Sequence, residues 1–243
     1  MSDLIDELQS LYFQLQEAQD ARSKSETSRL SSEILSQVEA LPPLEHLPKP
    51  QRARVLLYKG KALSARDTYD KQAEEALTRS VKLDPSNADT WIWLGEIFYL
   101  KKDYLQSKRC FEGSIENSGE NKQALRKLSM VSRLLGDDDE RKRAVRESVE
   151  LAKRAVGLDL KDGYSWYVLG NAHLTNFFMN CPGSDELSKA LKAYGQAEKL
   201  LGVPEPDLHY NRGEAYKYLE RYQEAVSDFF IACLLYTSDA ADE

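Results

Sequence analysis

The stretch Ala88–Asn121 reads ADTWIWLGEIFYLKKDYLQSKRCFEGSIENSGEN, and it decides how this chain folds. When Trp91 is counted as position 4, large and small residues fall at fixed places along two helical runs. A glycine at position 8 and small residues at positions 20 and 27 let two helices approach closely, while bulky residues fill the remaining space. The stretch therefore predicts a helical hairpin. Its defining residues are Trp91, Leu94, Gly95 and Phe98 on the first helix, and Ser107, Phe111 and Ser114 on the second.

The same spacing recurs in four further copies. One strong copy begins at Trp166 and needs eight extra residues between its helices, because Ala190 follows Trp166 by 24 residues where Ser107 follows Trp91 by 16. We expect loops to hold the extra residues, at 176–185 in this copy and at 136–144 in the middle one. The residues that carry the four copies are Gly60, Ala73, Leu77, Ser80 and Pro85; Leu125, Leu128, Ser148, Ala152 and Ala155; Trp166, Leu169, Gly170, His173, Ala190, Tyr194 and Ala197; and Gly213, Tyr216, Ala225, Phe229 and Ala232.

This arrangement resembles the tetratricopeptide repeat (TPR), a helical hairpin of about 34 residues with a W-x2-L-G-x2-Y signature. Each such hairpin buries its apolar face only against its neighbours, so several copies must stack. The resemblance implies an all-α fold: a TPR right-handed superhelical solenoid of about five helix-hairpin repeats over residues 51–235. The alternative, an irregular helical bundle, requires five coincidences of spacing.

Residues 1–50 are expected to form an N-terminal helical cap and a Pro-rich connector. Leu4, Leu8, Leu11 and Leu15 recur at helical spacing, and a second helix is predicted over 28–41. The segment Leu41–Gln51 (LPPLEHLPKPQ) contains four prolines and cannot continue that helix. A coiled-coil dimer is the alternative, but the pattern does not persist for three heptads.

The last residues, 236–243, do not match the sequences that close the earlier repeats and look non-native. The chain reads CLLYTSDAADE where earlier copies close with sequences such as Lys82-Leu83-Asp84-Pro85. This ending resembles translated adapter sequence, so we expect a truncation and an authentic protein that continues beyond about Ala232.

Composition argues against several classes of protein. The net charge of −7 does not favour nucleic acid or anionic lipid. A secretory signal and a run of about 20 apolar residues are both missing from the sequence, so we expect no membrane association and a cytoplasmic protein. Cys110, Cys181 and Cys233 are too scattered for a disulfide framework or a zinc site, and His173 near Cys181 lacks further ligands. With neither a phosphate loop nor an HExxH motif, we expect no enzyme, no metal and no cofactor.

A ligand is expected on the inner face of the solenoid. In TPR arrays the first helix of each repeat lines the concave surface, and positions 2, 5, 9 and 12 share one helix face. These groove positions are Arg54, Leu57, Lys61 and Ser64; Asp89, Ile92, Glu96 and Tyr99; Gln123, Arg126, Met130 and Arg133; Tyr164, Tyr167, Asn171 and Leu174; and Asp207, Tyr210, Glu214 and Lys217.

Mixed charge along the groove suits an extended peptide with charges of both signs. Arg133 can clamp a carboxylate, and Asp207 can meet an arginine or an amino terminus. Asn171 can hold the peptide backbone bidentately, through both the oxygen and the nitrogen of its amide. The alternative for each residue is a solvated surface side chain. The peptide-binding residues we expect are Arg126, Met130, Arg133, Tyr167, Asn171, Asp207, Tyr210, Glu214 and Lys217. A separate basic strip, either a solvated face or a contact for RNA phosphate, comprises Lys71, Arg79, Lys82, Lys101, Lys102, Lys108 and Arg109.

Five blocks are more specific than the TPR pattern. They are GKALSARDTYDKQAEEALTRSVKLDP (Gly60–Pro85), LSMVSRLL (Leu128–Leu135), KDGYSWYVLGNAHL (Lys161–Leu174), AYGQAEK (Ala193–Lys199) and PDLHYNRGEAYKY (Pro206–Tyr218). They resemble the tetratricopeptide repeat protein 5 (Strap) family over about Leu56 to Ala232, whereas the first fifty residues match only in being helical. That family also carries a further repeat segment and a C-terminal OB-fold-like domain, which this sequence lacks.

The resemblance implies an adaptor that recognises the N-terminal Met-Arg-Glu motif of nascent tubulin on the ribosome and triggers decay of tubulin mRNA. It also implies a role in stress-responsive transcription, and with it a nuclear as well as a cytoplasmic location. The expected partners are the tubulin peptide, the ribosome, and mRNA-decay or co-activator proteins. Sequence-specific DNA is not an expected partner. The family's peptide-contacting residues fall on Arg133 and Asp207, and its ribosome-facing residues fall near Arg79 and Lys82. The alternative is a generic TPR scaffold or a co-chaperone that binds a different peptide.

Overall fold

The computed structural model describes residues 2–21, 23–66, 68–180 and 183–241, and no strand occurs in these ranges. Short 3-10 turns lie at Leu44–His46 and Ser64–Arg66. The α-helices are α1 (Ser2–Asp20), α2 (Lys24–Ala40), α3 (Lys49–Leu63), α4 (Lys71–Leu83), α5 (Ala88–Leu100), α6 (Tyr104–Ser118), α7 (Lys122–Ser132), α8 (Asp138–Leu158), α9 (Gly163–Asn180), α10 (Ser184–Leu200), α11 (Pro206–Tyr218) and α12 (Tyr222–Ala241).

Successive helices pair into hairpins from α3 onwards. The pairs are α3 with α4, α5 with α6, α7 with α8, α9 with α10, and α11 with α12. The predicted all-α array of helix hairpins is confirmed. The chain separates into two compact units, a first unit at Met1–Glu120 and a second unit at Asn121–Glu243.

Close contact between positions 8 and 24 fixes the approach of the two helices in a hairpin. A Cβ added to Gly95 would lie 2.5 Å from Phe111, and one added to Gly170 would lie 2.5 Å from Tyr194. The third hairpin reaches the same closeness differently, because Ser129 stands at position 8 and its hydroxyl donates to the carbonyl of Ser148 at 2.8 Å. Small residues at these positions are therefore a packing requirement.

Polar residues cap the N-termini of several helices. The side chains of Asn87, Asp103 and Asn121 accept hydrogen bonds from the first backbone N–H groups of α5, α6 and α7. The indole of Trp91 donates to the Pro85 carbonyl at 2.8 Å, and that of Trp166 donates to the Leu160 carbonyl at 3.0 Å. In these two repeats, the tryptophan at position 4 thus secures the first helix to the turn before it.

The two predicted insertion loops are wrong in extent, because most of their residues lengthen helices. Helix α8 begins at Asp138, capped by Asp137, and helix α9 continues to Asn180. The polar residues that suggested a loop find partners: Asn180 donates to the carbonyl of Lys142 at 3.2 Å and accepts from Arg146 at 2.8 Å. Cys181, which follows, lies outside the described residues.

The N-terminal helices are firmly packed in the first unit. Helix α2 begins at Lys24, earlier than predicted, and α3 begins at Lys49 within the proline-rich segment. Leu8, Tyr12 and Leu15 of α1 are buried in one core with residues of α3, α4 and α5. At the other end of the chain, α12 runs through to Ala241, so the described part of the unusual tail continues the helix.

Candidate peptide-binding site

The groove positions of the first repeat are either buried or bonded to α1. Leu57, Lys61 and Ser64 are buried, and Arg54 donates to Gln9 of α1 at 2.5 Å. The expectation that these positions line an open groove is therefore wrong. Sequence spacing could not show this, because it places the residues on the inner face without saying what packs there.

The buried Lys61 illustrates how α1 is held. Its ammonium nitrogen lies 4.5 Å from the ring centroid of Tyr12 and 4.7 Å from that of Trp93, so two aromatic faces meet the cation. The Tyr12 hydroxyl donates to Asp89 at 3.4 Å, and burial, followed by the charge of Asp89, raises the pKa of Tyr12. The second repeat thus contributes Asp89 to α1 docking as well.

In the second unit, Tyr167 of α9 lies at the centre of the predicted site. Burial raises its pKa to about 12, and the carboxylates of Asp207 and Glu205 act in the same direction. A hydrogen bond from Asn171 and the positive charge of Arg133 oppose this rise. Helices α7, α9 and α11 therefore bring a cation and an anion within electrostatic reach of one phenol group.

Asn171 of α9 is bonded to α10 and α11 through its side-chain amide. Its oxygen accepts from the Tyr194 hydroxyl at 2.7 Å and from the Asn211 amide at 3.0 Å. Because both acceptor directions are occupied, a peptide backbone can use only the NH₂ side of Asn171 in this arrangement. The bidentate contact predicted for this residue thus needs a rearrangement of the network.

Arg133 is oriented towards α9. Its Nε donates to the Ser129 carbonyl at 3.2 Å, and Nη1 donates to the Thr175 hydroxyl at 3.2 Å. Thr175 in turn donates to the carbonyl of Asn171 at 2.7 Å. The guanidinium is half-buried beside the polar network, where a carboxylate would be less screened than at an open surface.

Two other predicted contacts on α7 serve the unit internally. Arg126 donates to Asp162 at 2.8 Å, and its guanidinium lies 5.7 Å from the ring centroid of Tyr164. Met130 packs with Tyr167 against the core between α8 and α9. Their roles in peptide binding stay predictions.

On α11 the predicted residues differ in exposure. Asp207 is exposed and accepts a hydrogen bond from Tyr236, while Tyr210 is half-exposed and rests against Phe229 with ring centroids 5.6 Å apart. Glu214 and Lys217 form an ion pair at 2.6 Å. This pair presents little net charge, so Asp207 gives α11 its anionic character within the site.

Sequence analysis missed the residues that support the site. Tyr194 stands at position 24, where Phe111 and Phe229 stand in other repeats, and its hydroxyl is what ties it to Asn171. Burial raises its pKa well above the ordinary value. Position 24 requires only a bulky side chain, so the hydroxyl of a tyrosine there indicates a buried hydrogen-bond partner. This was the signal in the sequence that could have revealed the network.

Arg79 and Lys82 lie on α4 in the first unit and are exposed. Three other members of the basic strip are paired: Lys101 with Glu74 at 2.8 Å, Lys108 with Glu112 at 3.7 Å, and Lys71 with Glu75 at 3.9 Å. Among the described residues, neither Arg79 nor Lys82 forms an ion pair. The strip therefore carries less net positive charge than its lysines and arginines suggest.

His173 is a packing residue. It lies 2.7 Å from Glu186, which also accepts from Lys189 and Asn176. Burial opposes ionisation of Glu186, but these hydrogen bonds lower its pKa to about 2. No set of side chains suited to a metal ion occurs in the described ranges, and none of their helices is long and apolar enough to span a membrane.

Comparison with known families and proteins agrees with this geometry. The tetratricopeptide repeat family matches residues 51–107 and 206–229. Three solved structures show the same fold at low sequence identity. The APC/C hetero-tetramer Cut9-Hcn1 is 18% identical with a TM-score of 0.68, over 93% of this chain and 39% of that chain, and a thermophilic TPR protein of Thermus thermophilus is 18% identical with a TM-score of 0.60, over 74% and 89%. YrrB, described as a TPR protein with an unusual peptide-binding site, is 20% identical with a TM-score of 0.53, over 74% of this chain and 84% of that chain. The chain is a TPR protein, an architecture typical of non-enzymatic scaffolds.

Comparison with curated proteins identifies relatives within the class of TPR proteins. Tetratricopeptide repeat protein 5 of Bos taurus is 39% identical over 97% of the chain, and that of Homo sapiens is 38% identical over 97%. The chain is a homologue of tetratricopeptide repeat protein 5, and it spans about half the length of these relatives, 54% in both. The similarity also takes in the N-terminal helices, so our expectation that it begins near Leu56 was too narrow.

Proposed function

We propose that the second unit binds a peptide that carries charges of both signs, and that its ligand is the N-terminal Met-Arg-Glu motif of nascent tubulin. The observation that carries the proposal is the placement of Arg133 and Asp207, which act with opposite sign on Tyr167. A peptide glutamate meets Arg133, and a peptide arginine or amino terminus meets Asp207. The choice of tubulin rests on homology to tetratricopeptide repeat protein 5 and on the family resemblance of these two positions.

In this proposal the chain acts as an adaptor in the cytoplasm. Peptide recognition at the ribosome recruits mRNA-decay proteins, and the message for tubulin is degraded. A second role, as a transcription cofactor in the nucleus, follows from the same resemblance and uses the same groove. A generic scaffold that holds a different peptide is the alternative.

Titration with a fluorescent Met-Arg-Glu-Ile peptide tests the proposal. We expect Arg133→Ala and Asp207→Ala each to weaken binding by roughly tenfold to hundredfold, since a hydrogen bond to a charged group contributes about 1.5–3 kcal/mol. Lys192→Ala and Glu147→Ala, two exposed residues on α10 and α8, are matched controls that should not change affinity.

A peptide with the order Met-Glu-Arg-Ile keeps composition and charge but exchanges the two signs. It should bind more weakly than Met-Arg-Glu-Ile. Equal binding of the two peptides, or indifference to both Arg133→Ala and Asp207→Ala, would show that this groove does not recognise the motif.

The ribosome contact is proposed for Arg79 and Lys82, supported by their exposure and by the lack of an ion pair at either residue within the described ranges. Replacing both by alanine should reduce co-sedimentation with ribosomes and flatten its dependence on salt. Lys71→Ala with Lys108→Ala, which removes two paired lysines, is the control. An unchanged salt dependence in the Arg79 and Lys82 variant would contradict the contact.

A further inference from the structure

Helix α9 is longer than the other first helices of the second unit. It has 18 residues, against 11 in α7 and 13 in α11. Its groove positions Tyr164, Tyr167, Asn171 and Leu174 are spaced three, four and three apart, and a further step of four reaches Phe178. The extra turn therefore adds an aromatic residue to the groove face of α9.

Phe178 meets Tyr218 of α11 in an edge-to-face contact. The two ring centroids are 5.0 Å apart at 74°, and Phe177 contacts both rings from below at 5.3 and 5.7 Å. Phe177 packs against the core of the second unit, whereas Phe178 is 42% exposed and Tyr218 is 52% exposed. Phe178 and Tyr218 thus pack on the partly buried Phe177 and present apolar surface to solvent.

The extra turn is fixed by hydrogen bonds on its other side. Asn180 accepts from Arg146 at 2.8 Å and donates to the Lys142 carbonyl at 3.2 Å and to Asn176 at 2.8 Å. Lys217 places its ammonium 5.3 Å from the centroid of the Tyr218 ring. The hydrogen bonds of Asn180 fix the helical turn that carries Phe178, and Lys217 lies beside the Tyr218 ring. A ligand would therefore find both rings preorganised.

The aromatic pair adjoins the cation of the proposed site. Arg133 donates to Thr175, and Thr175 lies three residues before Phe178, so the two side chains are neighbours on the surface of α9. A peptide carboxylate held by Arg133 consequently has Phe178 within reach of an adjacent side chain. Bulky apolar side chains gain most from covering such rings, since the stabilisation grows with the apolar area that is removed from water.

We propose that Phe178 and Tyr218, on their base of Phe177, form an apolar subsite that takes a bulky aliphatic side chain next to an acidic residue of the bound peptide. The inference rests on the proposed function, because it requires a peptide in the groove of the second unit. It adds a determinant of specificity that neither Arg133 nor Asp207 supplies.

A double-mutant cycle tests the subsite. The peptides Met-Arg-Glu-Ile and Met-Arg-Glu-Gly are titrated against the full chain and against Phe178→Ala and Tyr218→Ala. We expect Phe178→Ala to weaken the isoleucine peptide by roughly tenfold and to leave the glycine peptide unchanged. Phe230→Ala and Tyr222→Ala replace exposed aromatic residues of α12 and should behave as the unchanged chain. Equal losses for both peptides, or no loss for either, would overturn the subsite.

A second measurement keeps the subsite testable if tubulin is not the ligand. Random heptapeptides displayed on phage are selected against the full chain and against the Phe178→Ala, Tyr218→Ala double variant, whose helix content is checked by circular dichroism. We expect Ile, Leu or Met beside Asp or Glu to be enriched by the full chain and lost with the variant. A selection with no such preference, or with no binders, overturns the inference, whereas failure of the Met-Arg-Glu peptide alone overturns only the tubulin proposal.

Discussion

At the scale of the residue, the most constrained positions are the small ones between paired helices. Gly170 leaves space for the Tyr194 ring, since an added Cβ would lie 2.5 Å from it. We expect Gly170→Ala to lower the free energy of unfolding by about 1–3 kcal/mol, because the ring cannot move without disturbing its bond to Asn171. Urea denaturation followed by circular dichroism measures the change.

Gly195→Ala is the matched control, because an added Cβ there meets no atom within 4 Å. This helical substitution should stabilise the chain by up to about 1 kcal/mol. If Gly170→Ala were as stable as Gly195→Ala, close approach of the two helices would not be what position 8 provides.

Residue types predicted such packing better than they predicted polar contacts. Gly95 and Phe111 could be paired from spacing alone, because the repeat fixes their separation. The Asn171 network could not, since it joins side chains from helices distant in the sequence. Nor could the burial of Lys61, because a lysine is expected to be solvated unless aromatic rings or anions surround it.

At the scale of the element, the helices were predictable and their ends were less so. Asn176 and Asn180 suggested a loop, but each is satisfied inside the helix or against α8. Composition cannot reveal a partner on another helix, so the extra turn that carries Phe178 was read as an insertion loop. The aromatic subsite is thus a product of helix extension.

Helix α1 is the element with the largest effect on where a ligand can bind. Leu15 is fully buried in the core of the first unit, whereas Phe13 is 51% exposed. We expect Leu15→Ala to cost about 2–5 kcal/mol and to open α1 to limited proteolysis, while Phe13→Ala costs less than about 1 kcal/mol. Equal protease resistance of the two variants would contradict docking of α1 on the groove positions.

At the scale of the whole molecule, the repeat spacing predicts that positions 2, 5, 9 and 12 line the groove in every repeat. In the structure these positions differ in their exposure to solvent. Positions 2, 5, 9 and 12 of the first repeat are buried or bonded to α1, whereas Tyr210 and Asp207 in the last repeat are exposed. The repeat spacing could not predict this difference, because α1 lies outside the repeats. Peptide recognition is consequently expected in the second unit alone.

Hydrogen exchange locates the binding surface without assuming any single contact. With saturating Met-Arg-Glu-Ile peptide, we expect slower exchange in α7, α9 and α11, since a ligand stabilises the segments that it contacts against local opening. Exchange in α3 and α5 should not change, because α1 packs on α3 and Tyr12 of α1 is bonded to Asp89 of α5. Asp207→Ala should reduce the protection at the same peptide concentration, because it weakens binding. Protection of α3 and α5 would mean that the peptide displaces α1, and the binding surface would then extend into the first unit.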